Sequence, residues 1–499
     1  MSLHPILLVF LLFLSFALIL RKRARGGNLR LPPSPPKLPI IGNLHQIGTL
    51  PHRSFQALSK KYGPIMLLHL GSVPSLVVSS PEIVKEMLKT HDIIFSNRAR
   101  PMSVDIILNG QEDLAFSPYG EYWRQLRKLC VQELLSLHRV QSLQFQRDEE
   151  VDRLVKKIRR SSLQGETVNL SELLLDVTND MVCRAVIGER CEGEDGKSKW
   201  GEMSRKILLA FPAFSFRDYF PNLGWMDNLT GFTGTLTRTS KEVDAFFEQV
   251  IEKRRVLLTD GSLSSKRNFI DILLHLKETG LHGFDLSYGR IKAILLDMFV
   301  GSTDTSVTTM DWVMTELMKN PKVMKKVQKE VRQVVGKKSK VDVNDVNKMG
   351  YLKCVIKETL RLHAPVPLLI PRETSATATL GGYDIPHKAR VYINVWGIQR
   401  DPKVWPNAED FIPERFENDN AVDSLDQDFH FFPFGGGRRI CAGMSFAQAT
   451  IEYVTANLLY WFNWELPTGV TGKDLDMSEA FGLTILKEAP LCLLPIEYI

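Results

Sequence analysis

The stretch Phe434-Gly-Gly-Gly-Arg-Arg-Ile-Cys-Ala-Gly443 is the most informative part of this chain. Its single cysteine, Cys441, follows three glycines and two arginines. A thiolate is a soft ligand for a transition metal, and it stays ionised only beside positive charge or N–H donors. Gly435–Gly437 allow turns that aim successive amides at one point, and the planar guanidinium of Arg439 suits a carboxylate. Phe434 is placed to shield the sulfur from water, so the stretch predicts a metal-ligating cysteine.

An alternative is that Cys441 is an ordinary buried cysteine beside a flexible loop. That interpretation does not explain the coincidence of five fixed positions, which are Phe434, Gly437, Arg439, Cys441 and Gly443. They match the haem-binding signature Phe-x-x-Gly-x-Arg-x-Cys-x-Gly, and the chain resembles the cytochrome P-450 superfamily. The resemblance implies haem b as cofactor, with Cys441 as the axial iron ligand and Arg439 and Phe434 among the cofactor-binding residues. A thiolate in that position favours O–O cleavage.

The resemblance implies a mainly α fold with a small β-sheet region, and the residue pattern agrees with it. A helix is predicted over His52–Tyr62, because Gly63-Pro64 terminates it. Another is predicted from the N-cap Ser80 through Leu88, and beyond Trp123 the pattern is mostly that of amphipathic helices. The predicted strands are Ile65–Leu70, Leu76–Ser79, Ala378–Ile385 and Val391–Val395.

The length and charge of the chain limit the classes of function. A chain of 499 residues suggests about three domains on length alone, but no composition break divides residues 44–499, so we expect one haem-thiolate catalytic domain there. The net charge is +6, and four basic residues lie within Arg21–Arg25. Without that cluster the balance is only slightly basic, so no nucleic-acid partner is indicated. The six cysteines follow no disulfide or zinc spacing, and we expect them to be reduced thiols.

The N-terminus is typical of a membrane anchor. Residues 6–20 are apolar except for Ser15; a helix of that length spans about 22 Å, short of the roughly 30 Å hydrocarbon core, and residues 3–5 extend it. We predict a single N-terminal membrane anchor helix over residues 1–20. The alternative is a cleaved signal peptide, which carries its positive charge before the apolar run. Here the charge follows, which favours a cytosolic location for the rest of the chain.

Residues 21–43 follow the anchor as a basic stop-transfer cluster and a proline-rich hinge. We expect Leu31–Asn43 to be a stiff, extended spacer that orients the globular part on the membrane. This arrangement resembles the microsomal members of the superfamily. It implies a single-pass protein of the endoplasmic reticulum membrane whose catalytic domain faces the cytosol.

Two further pairs resemble cofactor-binding and structural motifs of the superfamily. Trp123 and Arg127 lie four apart on one helical face and match Trp-x-x-x-Arg, which implies hydrogen bonds to haem propionates. The alternative is a structural role, in which Trp123 is a buried aromatic side chain and Arg127 extends past it to solvent. Arg372 lies where the superfamily places another propionate-binding arginine. Glu358 and Arg361, on a helix predicted over Asp345–His363, match Glu-x-x-Arg, and with Arg415 of Pro-Glu-Arg-Phe they imply a buried ionic triad with a structural role.

The predicted helix Leu286–Lys319 carries the residues that concern oxygen. Gly301-Ser302-Thr303-Asp304-Thr305 resembles the oxygen-binding motif Ala/Gly-Gly-x-Asp/Glu-Thr, which implies that Thr305 holds O2 by a hydrogen bond and that Asp304 supplies protons. Gly301 leaves room beside the hydroxyl of Thr305. The alternative is that these hydroxyls only bond back to the preceding turn. Ser302 departs from the usual glycine, and its hydroxyl is able to bond the carbonyl of Met298.

The whole resemblance predicts a monooxygenase that inserts one atom of O2 into a small hydrophobic molecule, as in plant microsomal hydroxylases of specialised metabolism. No Gly-x-Gly-x-x-Gly follows a strand, so we do not expect the chain itself to bind NADPH. The resemblance implies that electrons come from NADPH through a separate protein, cytochrome P-450 reductase, with cytochrome b5 as a second candidate donor. Terpenoid, phenylpropanoid-derived and amino-acid-derived substrates remain equally open. Three other functions are alternatives. The retained pair Asp304 and Thr305 argues against an O2-independent isomerase or dehydratase and against a haem sensor or electron carrier. A secreted binding protein would need a cleaved N-terminus. The expected pocket segments are residues 102–114, 211–220, 300–301, 366–370 and 480–483.

Overall fold

The structure is a computed structural model that describes residues 29–110, 112–191, 199–259, 268–280, 285–417 and 429–498. The predicted anchor, residues 1–20, and the basic cluster lie outside the described residues. Within the described part of the chain, no helix is both long enough and apolar enough to cross a membrane.

Helices form most of the described chain, as expected from the sequence. In chain order they are α1 Pro51–Tyr62, α2 Pro81–Lys85, α3 Met102–Ile107, α4 Glu121–Leu129, α5 Leu137–Ser142, α6 Gln144–Gln164, α7 Leu170–Ile187, α8 Lys199–Ala210, α9 Phe216–Tyr219, α10 Met226–Leu229, α11 Phe232–Thr259, α12 Phe269–Thr279, α13 Tyr288–Lys319, α14 Pro321–Val335, α15 Val343–Asn347, α16 Gly350–Leu362, α17 Val395–Ile398 and α18 Met444–Trp461. The prediction of a mainly α fold is confirmed.

The strands form small sheets at the edges of the helical body. They are β1 Ile65–Leu70, β2 Val73–Val78, β3 Asn97–Arg98, β4 Val168–Asn169, β5 Arg372–Glu373, β6 Ala378–Leu380, β7 Tyr383–Ile385, β8 Arg390–Ile393, β9 Phe462–Glu465 and β10 Cys492–Glu497. One sheet has the order β1-β2-β8-β5-β3, a second β4-β10-β9 and a third β6-β7. β2 runs parallel to β8, with Ser75 opposite Arg390.

Local signals explain most of these boundaries. The hydroxyl of Ser80 accepts a hydrogen bond from the amide of Ile83 at 3.3 Å, so it caps α2 as predicted. That helix ends at Lys85 and continues as a π-helical turn, Glu86–Thr90. Gly71 turns the β1–β2 hairpin with φ +62°, and a Cβ there would lie 2.4 Å from the carbonyl oxygen of Tyr219. Only glycine fits so close an approach.

The helix α13 packs in two separate hydrophobic cores, one at each end. Ile291–Phe299 pack in one core with α7, α11 and α12. Val307–Leu317 pack in the other with α6, α14, α16 and α18. Between them, Gly301 is exposed and Thr305 is half-buried, although both lie at the middle of a long helix inside the protein. The exposed surface of this central segment belongs to an internal cavity.

The proline-rich segment is docked on the protein instead of standing free. The amide of Leu67 donates to the carbonyl of Pro33 at 3.0 Å, and the amide of His69 donates to the side chain of Asn43 at 2.8 Å. Asn43 in turn donates from its side chain to the carbonyl of Pro35 at 3.3 Å. The described end of the expected spacer is therefore held along strand β1.

Two expectations from the sequence are wrong. The helix predicted over Asp345–His363 is two helices, α15 and α16, because the carboxylate of Glu330 accepts the amides of Tyr351 and Leu352 at 2.7 and 2.8 Å and so starts a new helix there. The cysteines are not all free thiols, since Cys183 and Cys191 form a disulfide. Gly188, with φ +83°, turns the chain after α7 and brings the two together.

Candidate active site

The loop Phe432–Gly443 presents Cys441 to the cavity. The amide of Gly435 donates to the carbonyl of Phe432 at 2.8 Å, and the amide of Cys441 donates to the carbonyl of Phe434 at 3.0 Å. Gly435 and Gly437 have φ values of +72° and +66°, so the glycine run is required by the turn. The side chain of Cys441 is exposed, and that exposed surface forms part of the cavity wall.

The surroundings of Cys441 disfavour the thiolate form of its sulfur as long as no metal is bound. Burial raises the pKa of the Cys441 thiol, and the amide of Gly443 and the guanidinium of Arg127 oppose this without overcoming it. A metal ion deprotonates a coordinating thiol outright. The environment therefore suits a sulfur that is neutral when free and ionised when it binds a metal.

The cavity lies between α4, α13, the segment 365–372, the cysteine loop and α18. About 280 Å³ is open to the centres of water molecules, whereas one water needs only about 10–15 Å³ on that measure. It is therefore a ligand cavity and not a packing defect. Of the pocket segments expected from the sequence, Leu114, Gly301 and residues 366, 369 and 370 line it, whereas no residue of 211–220 or 480–483 does.

Four arginines and one acidic side chain are among the described residues that line the cavity: Arg98, Arg127, Arg372, Arg439 and Asp297. Burial, together with the positive charge of Arg372, lowers the pKa of Arg439 to about 9. Burial likewise lowers the pKa of Arg372 to about 10. A buried excess of positive charge is costly unless an anion balances it. The cavity therefore fits a ligand that carries carboxylates.

The guanidinium groups are held by backbone carbonyls. Arg439 donates to the carbonyls of Ser96 and Ser117 at 2.8 and 2.5 Å, and Arg372 donates to the carbonyl of Gly436 at 2.7 Å. Arg127 donates to the carbonyl of Ile440 at 2.8 Å, next to Cys441. These bonds fix the directions of the groups. The carboxylate of Asp92 lies 3.4 Å from Arg372 and balances part of the charge of that guanidinium.

Trp123 lines the cavity beside the arginines, and its expected bond to a haem propionate stays a prediction. Its indole N–H donates to the carbonyl of Leu114 at 3.0 Å, so the structure already gives it a protein partner. The guanidinium of Arg439 lies 4.0 Å from the centre of the Trp123 ring, and that of Arg127 lies 5.6 Å from it. In this structure the ring is a platform for two of the arginines.

Arg98 is a cavity arginine that sequence reasoning missed. It donates to the carbonyls of Ala115 and Ile370, and burial together with the charges of Arg372 and Arg439 holds its pKa well below the usual range. Its partners lie far apart in sequence, so no spacing motif marks it. The one available signal was its place four residues before the predicted pocket segment 102–114.

Helix α13 brings Gly301, Ser302 and Thr305 to the cavity wall. The hydroxyl of Thr305 donates to the carbonyl of Gly301 at 2.8 Å. A Cβ added at Gly301 would meet no atom within 4 Å, so this position opens the cavity and is not required for packing. Among the described residues, the hydroxyl of Ser302 makes no hydrogen bond to the carbonyl of Met298.

Asp304 lies one position round the helix, away from the cavity-lining residues. Its side chain is buried, and burial raises its pKa to about 6, opposed only by the charge of Arg205 on α8. A carboxyl with such a pKa exchanges protons near neutral pH. Asp304 is therefore suited to move protons next to the turn that holds Thr305.

The residues Glu358, Arg361 and Arg415 come together beneath the cysteine loop. Arg361 makes two bonds to the carboxylate of Glu358, at 2.7 and 2.9 Å, and both side chains are fully buried. Arg415 donates to the same carboxylate at 3.3 Å. Arg361 also donates to the carbonyls of Gln399 and Ala408 at 2.8 Å. The three side chains tie α16 to the chain that leads into the cysteine loop.

Haem fits this donor set. Its two carboxylates match the excess of buried guanidinium groups, and its flat apolar ring matches a wall that includes Leu114, Val366, Ile370 and Ala442. Its iron requires a ligand at the ring centre, and Cys441 offers a soft sulfur there. The residues that line the cavity thus suit a thiolate-ligated haem.

Comparisons with known proteins agree with this geometry. The family model "Cytochrome P450" matches residues 32–492. A phenylacetaldehyde oxime monooxygenase of Prunus mume is 49% identical over 95% of this chain and 90% of its own length. Cytochrome P450 71A1 of Persea americana is 49% identical over 90% of each chain. A solved zebra fish cytochrome P450 structure with progesterone has a TM-score of 0.77 at 25% identity, covering 89% of this chain and 99% of that one.

The family carries a thiolate-ligated haem and requires a redox partner and a hydrophobic substrate. Such chemistry needs an internal cavity with positive charge for the haem carboxylates and one cysteine sulfur for the iron. The cavity of this chain has both. The chain belongs to the cytochrome P450 family and is a P450 monooxygenase of the plant type.

Proposed function

We propose that this enzyme inserts one atom of O2 into a neutral, mostly apolar plant metabolite derived from an amino acid or a phenylpropanoid. The observation that carries the proposal is the apolar cavity into which both the sulfur of Cys441 and the face of Gly301 and Thr305 open. The Prunus mume relative, which acts on an aromatic oxime by its name, supports this substrate class.

The cofactor would be haem b, held by residues of this chain. Cys441 would ligate the iron, Arg98, Arg127, Arg372 and Arg439 would face the carboxylates, and Phe434 would cover the sulfur. When bound, the haem supplies the activation of O2, which a thiolate ligand favours. Trp123 would bind a haem carboxylate through its indole N–H, as the resemblance implies, and its ring would pack against Arg439.

Helix α13 would supply the proton chemistry. The hydroxyl of Thr305 would hold a hydrogen bond at the oxygen-binding side of the cavity, turning away from the carbonyl of Gly301 to do so. Asp304, with a pKa of about 6, would take protons from the side of Arg205 and pass them through water toward Thr305. Neither group has a use in an electron carrier, which supports the monooxygenase over the sensor or carrier.

The structural roles would lie outside the cavity. Glu358, Arg361 and Arg415 would hold the cysteine loop against α16, so that the sulfur keeps its position when ligands enter. The catalytic domain would comprise residues 44–499, with residues 21–43 as stop-transfer cluster and hinge and residues 1–20 as anchor. The docking of Asn43 on strand β1 makes the end of the hinge part of the folded body.

Location on the endoplasmic reticulum membrane, facing the cytosol, is part of the proposal. The first described residues expose a group of apolar side chains, namely Leu29, Leu31, Leu38, Ile40 and Ile41. Ile40 is 81% exposed, which is unusual in a soluble domain unless another surface covers it. Electrons would come from NADPH–cytochrome P-450 reductase, with cytochrome b5 as a second donor, and exposed Arg124 and Lys128 on α4 suit an acidic partner.

Two measurements test the function. In the reduced protein with carbon monoxide, Cys441→Ser should lose the long-wavelength Soret band, because a hydroxyl is a poor substitute for a thiolate. The matched control is Cys492→Ser, an exposed cysteine on β10 that should keep the band. With reductase, NADPH and ¹⁸O2, the product should gain one ¹⁸O atom. Product formed without O2 would instead establish the isomerase or dehydratase.

A further inference from the structure

The segment 92–96 lies against the cysteine loop and binds two of the cavity arginines. The carbonyl of Phe95 accepts a hydrogen bond from Arg372 at 3.2 Å, and the carbonyl of Ser96 accepts one from Arg439 at 2.8 Å. The carboxylate of Asp92, in the same segment, forms an ion pair with Arg372 at 3.4 Å. Among the described residues, no other carboxylate forms an ion pair with an arginine of the cavity wall. The proposed chemistry does not use Asp92.

The two oxygens of Asp92 bond two different parts of the site. Oδ1 accepts Nη1 of Arg372 at 3.4 Å and the hydroxyl of Ser96 at 3.1 Å. Oδ2 accepts the main-chain amide of Arg438 at 3.0 Å, and the guanidinium of Arg438 lies 3.5 Å from the same oxygen. One carboxylate therefore joins a cavity arginine to the loop that carries Cys441.

The backbone at Gly437 leaves room for this carboxylate. Gly437 has φ +66°, and a Cβ there would lie 2.7 Å from Oδ1 of Asp92 and 3.1 Å from its carboxyl carbon. Only glycine allows so close an approach. The side chain of Asp92 is 12% exposed, so water and salt screen its charge much less than that of a surface group.

The charge of Asp92 bears on the arginine wall of the cavity. Burial lowers the pKa of Arg372 to about 10, and the charge and the hydrogen bond of Asp92 oppose this effect. Asp92 therefore stabilises the charged form of the guanidinium, and in turn it offsets part of the positive field that Arg372 contributes to the cavity. The other cavity arginines are held mainly by carbonyls.

We propose that Asp92 is a positioning residue of the haem site, which orients Arg372, holds the cysteine loop through the amide of Arg438 and lowers the reduction potential of the bound haem. Groups that orient the ligands of a metal tune both its affinity and its potential. Reduction of the iron adds an electron, so a fixed anion nearby disfavours the reduced state. Removal of that anion should therefore raise the midpoint potential.

This inference rests on the haem site of the proposed function, and its test needs no turnover. The main variant is Asp92→Asn, which removes the charge and keeps the shape of the side chain. The matched control is Glu86→Gln, which removes an equal charge from the neighbouring turn Glu86–Thr90. The side chain of Glu86 is 40% exposed, and among the described residues it bonds no cavity arginine. The measurements on substrate-free holoprotein are the midpoint potential by optical redox titration and the rate of haem transfer to excess apomyoglobin.

Asp92→Asn should have a more positive midpoint potential than the wild type and should lose haem about tenfold faster, as is typical when a group that orients a metal site is removed. Glu86→Gln should match the wild type in both measurements. Asp92→Glu keeps the charge, but its longer side chain does not fit against Gly437. It should therefore lose haem faster while its potential stays at the wild-type value, which separates the charge of Asp92 from its packing.

If Asp92→Asn does not retain haem, Arg438→Gln tests the same charge from the other side. This variant keeps the main-chain amide that bonds Asp92, and it leaves the carboxylate with Arg372 as its one ion-pair partner among the described residues. Its midpoint potential should be more negative than that of the wild type.

Several results would overturn the role of Asp92. One is an unchanged or more negative potential in haem-loaded Asp92→Asn, and another is an equal positive shift in Glu86→Gln, which would reduce the effect to general surface charge. An unchanged potential in Arg438→Gln would also count against it. These outcomes concern Asp92 alone, whereas a wild-type protein that binds no haem would contradict the proposed function as well.

Discussion

Among single residues, the side chains of the candidate site differ in the hydrogen bonds that they already make within the protein. The hydroxyl of Thr305 has one internal acceptor, the carbonyl of Gly301, and lines the cavity. Asp304 is buried behind it without a bonded partner among the described residues. The sulfur of Cys441 faces the cavity. Each is poised for a partner that comes from outside the chain.

Replacing Thr305 with alanine should uncouple NADPH use from product formation. Without the hydroxyl, protons are no longer directed to the bound oxygen, and the reducing equivalents are released as peroxide. Because a proton-transfer group is worth about 10²–10⁴-fold, product per NADPH should fall steeply while NADPH consumption falls much less. Product and peroxide, each per NADPH with excess reductase, measure this.

The control for that change is Thr309→Val, one turn further along α13. Its hydroxyl donates to the carbonyl of Thr305 at 2.9 Å, so it tests loss of a hydroxyl on the same helix without loss of Thr305. Undiminished coupling in Thr305→Ala would contradict the role of this hydroxyl, unless Ser302→Gly in the same chain then exposes the effect.

The pKa of Asp304 predicts a pH dependence of turnover. Burial raises that pKa to about 6, so the carboxyl holds its proton below pH 6 and loses it as the pH rises through that value. The proton-limited rate should therefore decline above about pH 6. In Asp304→Asn the rate should be lower throughout and should lack this step. A wild-type profile that rises between pH 6 and 8 would rule out Asp304 as the donor.

At the scale of elements, α13 is the organising feature. It contributes to both hydrophobic cores, and its centre, which packs in neither, is the wall of the cavity. The glycine at that centre has open space in front of it. The lack of a side chain at Gly301 therefore enlarges the cavity, and the packing of the helix does not require it.

Gly301→Ala should therefore stabilise the protein while it weakens ligand binding. Alanine in a helix interior is favoured over glycine by about 0.5–1 kcal/mol, and no atom lies close enough to clash. Thermal melting should show a higher midpoint, and optical titration should show lower affinity for bulky ligands. A lower midpoint would mean that Gly301 has a packing role after all.

Elements with local signals could be predicted, and those made by distant contacts could not. The helix expected over Leu286–Lys319 begins at Tyr288, since Ser287 caps it and the apolar periodicity continues to its end. The break before Gly350 depends on Glu330 of another helix. Arg98 and Asp297 escaped notice for the same reason, since their partners at 113–115 and 370 meet them only in the folded chain.

At the scale of the whole molecule, the topology relative to the membrane is testable through glycosylation. Asn169-Leu-Ser171 and Asn228-Leu-Thr230 are sequons, and Asn228 is exposed, so burial does not protect it. If the catalytic domain faces the cytosol, it never meets the transferase. Protein from a eukaryotic cell should then keep its mobility after endoglycosidase. A mobility shift would place the domain in the lumen and favour the secretory interpretation.

The five-stranded sheet has a consequence for the order of events during synthesis. β2 ends at Val78, and its parallel partner β8 begins only at Arg390, 312 positions further along the chain. At ribosomal speeds of about 5–20 residues per second, the β1–β2 hairpin waits roughly 15–60 s for that partner. A two-stranded hairpin alone is only marginally stable. The sheet is therefore completed shortly before Cys441 emerges, and newly made chains must be kept from aggregating until both the sheet and the cofactor loop exist.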